Sequence, residues 1–193
     1  VLFAAAFPPI PTGLTAFVAL LPFLFLMEEL PTWRDAFRWS YITFLIGNAG
    51  AIWWISGWWG EDPWLKAAGV AANLFHPLYF TLPALLYHTV RKRVGTLAAA
   101  GALPFIWTAW EWLVHLQELS FPWLLLANTQ TYDLGNIQFI TWTGSFGLSF
   151  WVAMINAIIF VMTRQLLSGA WTLRSTRMIV SAVGLVLAVV LPK

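Results

Sequence analysis

The 193-residue sequence has no cysteine and little charge: Asp, Glu, Lys and Arg together make up 9% of it. Without cysteine there can be no disulfide, no thiolate metal site and no cysteine nucleophile. A soluble domain averages about 25% charged residues, so roughly 30 charges are missing from any water-facing surface. That shortage excludes a soluble globular enzyme and a nucleic-acid-binding domain. Internal repeats, heptads and low-complexity segments are also lacking. What is abundant is apolar: 60% of the residues, with 14 Trp and 15 Phe. Such aromatic content excludes a disordered or fibrous chain. The composition is that of an integral membrane protein.

One helical crossing takes about 20 apolar residues. The apolar runs are long and do not alternate, which favours helices over a β-barrel. They predict an all-α integral membrane fold, a polytopic bundle of about seven transmembrane helices with the first one truncated. The stub is Val1–Phe7, halted by Pro8, Pro9 and Pro11. Thr12–Met27 follows, with a kink expected near Pro22. Next come Arg38–Trp59, Trp64–Val90 with Pro77 and Pro83, and Thr96–Leu116 with Pro104. Ile137–Met162 and Met178–Leu191 complete the set. Proline inside a span is tolerable where neighbouring helices satisfy the freed carbonyls.

Basic residues give an orientation. Arg34, Arg38, Arg91, Lys92, Arg93, Arg164, Arg174 and Arg177 fall in alternate connections, whereas the other set holds only Lys66 and Lys193. The first set is then cytoplasmic, and the basic excess reflects topology rather than nucleic-acid affinity. Residues after 193 are expected outside the cytoplasm. Val1 is not preceded by a basic n-region, which argues against a signal peptide. Met178–Leu191 covers about 21 Å of a roughly 30 Å hydrocarbon core. Both ends therefore read as cut, and residues 1–193 are expected to be one transmembrane domain of a longer protein.

Few side chains offer chemistry. Glu111 is the one carboxylate inside an apolar block, between Trp110 and Trp112, with His115 one turn on. An intramembrane ionisable group is a functional candidate by default; satisfying His115 near the interface is the structural alternative. No metal site is expected, because His76 and His88 lie on another helix and HExxH spacing is absent. Gly147-Leu148-Ser149-Phe150-Trp151 is like a nucleophile elbow but has Trp where the second Gly belongs. Gly144, Ser145, Gly147 and Ser149 read instead as small residues allowing close helix approach. The external loops are Trp-rich: Gly57–Trp64, which reads as an aromatic belt, and Leu119–Asn136, which carries Phe121, Trp123 and Tyr132 among polar residues.

Trp110-Glu111-Trp112-Leu113, Ser120-Phe121-Pro122-Trp123, Asn128-Thr129-Gln130-Thr131-Tyr132 and Gly144-Ser145-Phe146-Gly147-Leu148-Ser149-Phe150 follow one another in the order seen in a known family. With Phe7-Pro8-Pro9 and the Gly/Trp-rich stretch Gly47–Trp59, the chain resembles the membrane domain of bacterial apolipoprotein N-acyltransferase. Val114 stands where many members have Arg, and Asn128 where Tyr is frequent. The resemblance implies eight membrane helices, with an external nitrilase-like domain between the seventh and eighth bearing a Glu-Lys-Cys triad. That cysteine takes an acyl chain from a phospholipid and passes it to the amino-terminal cysteine of a lipoprotein, in the inner membrane. The catalytic domain is then expected after residue 193, so no catalytic residue and no cofactor is expected here, and this segment alone is predicted inactive. Its partners would be membrane lipid, the phospholipid and lipoprotein substrates, and the downstream domain. Glu111, Phe121, Trp123, Asn128, Gln130 and Tyr132 are the candidate lipid-contacting residues. A small transporter or a non-catalytic Trp-rich lipid-binding protein are the alternatives.

Overall fold

Prolines, a capping threonine and a few buried amides decide where the apolar blocks become helices. The structure is a computed structural model and describes residues 1–56, 62–118 and 120–190. Among these the chain is helical: α1 (Leu2–Ala5), α2 (Leu21–Glu29), α3 (Trp33–Ala51), α4 (Pro63–Phe75), α5 (Pro77–Val94), α6 (Thr96–His115), α7 (Ile140–Leu167) and α8 (Thr176–Val190), joined in places by short 3₁₀ turns. Gly57–Glu61, the centre of the expected first external loop, lies outside the described residues, as do Leu119 and residues 191–193.

Several boundaries differ from the sequence reading, each for a local reason. The block Thr12–Met27 is not one kinked helix. It is a 3₁₀ turn, Leu14–Val18, followed by α2, with Pro22 in the first turn where its missing N–H costs nothing. The break is satisfied from α7. Asn156, fully buried, accepts from the Leu20 N–H at 3.0 Å and donates to the Ala16 carbonyl at 2.8 Å. α3 begins at Trp33, before Arg38, because Thr32 caps it: its Oγ1 accepts from the Asp35 N–H at 3.2 Å. At the other end α3 stops at Ala51, short of the expected Trp59, and a 3₁₀ turn Trp53–Ser56 follows. Asp62 caps α4 by accepting from the Trp64 N–H at 2.8 Å. Pro77 opens α5, while Pro83 and Pro104 lie inside α5 and α6 without ending them. α7 is bent at Gly144, whose φ of 66° and ψ of −176° belong to a region open essentially to glycine alone.

Among the described residues, three stretches are long and apolar enough to cross a membrane: Pro63–Val94, Thr96–His115 and Ile140–Leu167; Thr176–Leu187 is a shorter apolar helix. The chain is thus a helical membrane domain. α3 packs on α5, α5 on α6 and α6 on α7, with the stub α1 lying against α3. An aromatic cluster fills the centre. Phe3 meets Phe44 and Phe80 edge-on at 5.6 and 5.5 Å, and Phe80 stacks on Trp107 at 5.7 Å.

At the end holding most basic residues, the helices are clamped through Glu28. Its Oε1 accepts from Arg164 Nε at 2.6 Å and from Thr96 Oγ1 at 3.1 Å. Arg91 meanwhile donates to the carbonyls of Glu28 and Leu30, at 2.9 and 2.8 Å, at the C-terminal end of α2. One half-buried network therefore ties α2, α5, α6 and α7 together, and the opposite ends carry the loop described next.

Candidate functional site

Between α6 and α7 the chain turns back over the bundle through 3₁₀ turns, Pro122–Leu124 and Leu126–Gln130, with a third, Leu134–Asn136, leading into α7. A backbone without regular hydrogen bonding cannot sit against apolar helices unless side chains satisfy it. Three polar groups outside the loop contact its backbone, and a fourth, Gln130 on the loop itself, ties it to the Gly13 turn.

Glu111 is 6% exposed on α6, and its Oε1 accepts from the Leu126 N–H and from Trp107 Nε1, both at 2.9 Å. Ser149 on α7 accepts from the Ala127 N–H at 3.0 Å, and its hydroxyl also approaches the Glu111 carboxylate. Gln130, 1% exposed, donates through Nε2 to the Gly13 carbonyl and to Thr129 Oγ1, both at 3.0 Å. Gly13 permits that approach, because a Cβ there would stand 2.7 Å from Gln130 Oε1. Finally, His76, at the junction of α4 and α5, hydrogen-bonds the Phe121 backbone and sets its ring edge against the Phe121 ring at 5.2 Å.

The sequence candidates therefore separate into two kinds. Glu111 and Gln130 are buried and committed to backbone groups. Glu111 bonds Trp107 and Leu126 rather than His115, the partner the helical spacing suggested. His115 instead lies against the Phe146 ring at 5.7 Å, with Nδ1 3.5 Å from Ser120 Oγ. Asn128 closes the turn, its Nδ2 donating to the carbonyls of Pro122 and Trp123 at 2.8 and 3.0 Å. Phe121 is half-buried beneath this turn. Trp123 and Tyr132 are the outward-facing members, 58% and 52% exposed.

Two cavities border the loop. A cavity of about 30 Å³, room for about one water, lies among His76, Tyr79, Trp107, Trp110, Glu111 and Phe121. Glu111 Oε2 and Trp110 Nε1, both on residues of this wall, are buried without a hydrogen-bond partner among the described residues. On the other side of the turn lies a cavity of about 290 Å³, lined by Phe7, Pro8, Ile52, Trp54, Trp123 and Asn128 among others. Trp54 and Trp123 meet edge-on across it at 5.5 Å and 81°. No cluster of three or more His, Asp or Glu side chains suited to a metal occurs among the described residues.

His76, Asn48 and Trp54 were not among the sequence candidates. Asn48 in the apolar run Ile46-Gly47-Asn48-Ala49 was the available signal, since a polar side chain inside a membrane helix needs a partner.

The family model for the apolipoprotein N-acyltransferase N-terminal domain matches residues 1–158. The apolipoprotein N-acyltransferase of Chlorobaculum tepidum is 31% identical over 147 residues, 76% of this chain and 26% of the relative. That of Geobacter metallireducens is 31% identical over 169 residues, 85% of this chain and 32% of the relative. In Treponema pallidum, apolipoprotein N-acyltransferase 2 is 29% identical over 121 residues, 62% of this chain and 21% of the relative. The chain thus spans between a quarter and a third of the length of the first two relatives. No solved structure matches it significantly. With residues 1–158 matched by the family model and two relatives 31% identical, this chain belongs to the apolipoprotein N-acyltransferase family, as its N-terminal membrane domain.

Proposed function

We propose that this domain docks a phospholipid donor and a diacylglyceryl-cysteine lipoprotein acceptor for N-acylation in bacterial lipoprotein maturation. The reaction occurs on a nitrilase-like domain downstream of residue 193, on the external side of the inner membrane. There a cysteine thiolate displaces the lysophospholipid from the donor ester to form a thioester. The acceptor amine then attacks that thioester, leaving an amide and the regenerated thiol. This chain has no cysteine to take part, so its contribution is placement. Holding both reacting ends in register beneath the thiol removes translational and rotational freedom before the chemistry begins.

One observation carries the reading: the cavity of about 290 Å³ roofed by the Trp54 and Trp123 indoles. Tryptophan favours the headgroup level, where its ring packs on acyl chain and its N–H meets water or ester oxygen. A lipid glycerol-ester region seated there would place one acyl chain among Phe7, Ile52 and Leu124. The basic asymmetry supports the orientation: about seven crossings, the first one truncated, with 28–38, 91–93 and 164–177 in the cytoplasm and 60–64 and 118–136 outside.

The test uses the full-length protein and labelled phospholipid. Trp54→Ala and Trp123→Ala should each slow acyl-enzyme formation about tenfold, the equivalent of about 1.4 kcal/mol of binding, with expression and membrane insertion unchanged. Unchanged acylation kinetics in both variants would leave the two indoles as belt anchors and sink the docking reading.

A further inference from the structure

We infer that His76 is a positioning residue that sets the height of the Phe121–Trp123 turn through a proton held on Nε2. The Phe121 carbonyl only accepts, so the imidazole nitrogen bonded to it carries the hydrogen. In a neutral ring the other nitrogen is then an acceptor. That nitrogen, Nδ1, lies 3.0 Å from Asn48 Nδ2, an amide group that only donates. The two contacts therefore agree on one tautomer. Asn48 is fully buried in α3 and His76 is 6% exposed, so water does not compete freely for either bond.

The ring is also fixed in plane. Tyr79, Phe80 and Phe121 surround it edge-on at 5.3, 5.2 and 5.2 Å. His76 stands where α4 ends and α5 begins. It thus connects α3, the α4–α5 junction and the loop in one relay.

Its position along the loop gives it a separate task from the other pins. Glu111, Ser149 and Gln130 hold the downstream limb, from Leu126 to Gln130. His76 holds the upstream limb at Phe121, two residues before the exposed indole of Trp123. Asn128 then closes the turn rigidly onto the Pro122 and Trp123 carbonyls. Shifting the Phe121 carbonyl moves Trp123, and with it the roof of the cavity shared with Trp54. The functional half of this inference rests on the docking reading above; the structural half does not.

Two isosteric substitutions separate positioning from simple folding. In His76→Gln the amide nitrogen occupies the place of Nε2 and still reaches Phe121, while the Asn48 bond is lost. In His76→Asn the side-chain oxygen occupies the place of Nδ1 and still accepts from Asn48, while the Phe121 bond is lost. Hydrogen exchange of the full-length protein in lipid nanodiscs should show the amides of 121–126 opening about tenfold faster in His76→Asn, the scale of one lost buried hydrogen bond. His76→Gln should exchange as the native protein does. Equal behaviour of the two variants, or a faster loop in Gln than in Asn, overturns the proposal. In the unsubstituted protein, ¹⁵N chemical shifts should report a bare Nδ1 and a protonated Nε2; the opposite tautomer or an imidazolium overturns it without relying on any variant. For acyl transfer, His76→Asn should raise KM for phospholipid about tenfold and leave kcat near native. A loop that loosens in His76→Asn with KM unchanged would leave the latch standing and overturn the docking reading instead.

Discussion

Replacing Glu111 separates a loop pin from a substrate-contacting carboxylate. In Glu111→Ala, the Leu126 N–H and the Trp107 Nε1–H both lose their acceptor. An unsatisfied buried donor costs about 1–3 kcal/mol, so two give about 2–6 kcal/mol. Side-chain hydrogen bonds inside membrane bundles average about 0.6 kcal/mol, which sets a floor near 1.2 kcal/mol for the pair. The neighbouring cavity of about 30 Å³ can admit a water to one orphaned donor, so the expected loss is about 3 kcal/mol. Glu111→Gln keeps an oxygen where Oε1 stands, and its new amide takes the site of Oε2, which has no partner among the described residues. That variant should lose about 1 kcal/mol or less. Unfolding in mixed micelles of denaturing and mild detergent, followed by tryptophan fluorescence, gives both numbers. Equal losses in Gln and Ala, or an Ala variant within about 0.5 kcal/mol of native, would refute the pin. If Gln is stable yet acyl transfer by the full-length protein collapses, the carboxylate charge acts on substrate.

The other expectations concern neighbouring parts of the design. Gln130→Ala removes one of the two donors to the buried Gly13 carbonyl, which keeps the Ala16 N–H, and should lower stability by about 0.5–1.5 kcal/mol in the same unfolding assay, with loop exchange faster between 126 and 131. Gly144→Ala forces an alanine into a backbone region open essentially to glycine and should cost about 1–3 kcal/mol, whereas Gly101→Ala inside α6, where an added Cβ meets nothing within 4 Å, should stabilise by up to about 1 kcal/mol. Reporter fusions after Lys92 and after Asp133 should lie on opposite sides of the membrane; both on one side would overturn the orientation drawn from the basic residues.

The broad architecture was legible because the signals for it are local. Apolar run length predicts helices, and the blocks 96–116 and 137–162 closely foreshadow α6 and α7. Helix starts were less legible where a cap decided them. Thr32 with Asp35 three residues on is a capping pattern in plain view, yet hydropathy alone placed the start of α3 at Arg38. The break between Val18 and Leu21 could not be read locally at all, because Asn156, about 140 residues away in sequence, satisfies it. At the site, the loop was recognisable from Phe121-Pro122-Trp123, but the roles within it were not. Sequence placed Glu111, Gln130 and Trp123 in one group of lipid contacts; burial divides them, with two facing backbone and one facing out. Charge had drawn the eye to Glu111, while the neutral Asn48, Ser149 and Asn156 were doing the same kind of work.

Under the docking proposal, that division bears on how a membrane domain serves a reaction completed elsewhere. A loop that samples many heights would lose much of the gain from holding two lipids together, because ordering each mobile side chain on binding costs about 0.5–1.5 kcal/mol. Here that ordering is achieved on folding. Polar groups at the α4–α5 junction, on α6 and on α7 hold the loop backbone, and Gln130 ties the loop to the Gly13 turn, so the aromatic side chains project from a frame already set. At the opposite end of the helices, Glu28 with Arg164 and Arg91 prevents the same elements from splaying. Rigidity at both ends leaves the outward indoles of Trp54 and Trp123 as the parts free to respond to a lipid. It follows that substitutions at the pins should act through loop order and those at the indoles through lipid affinity, two effects that exchange rates and KM report separately.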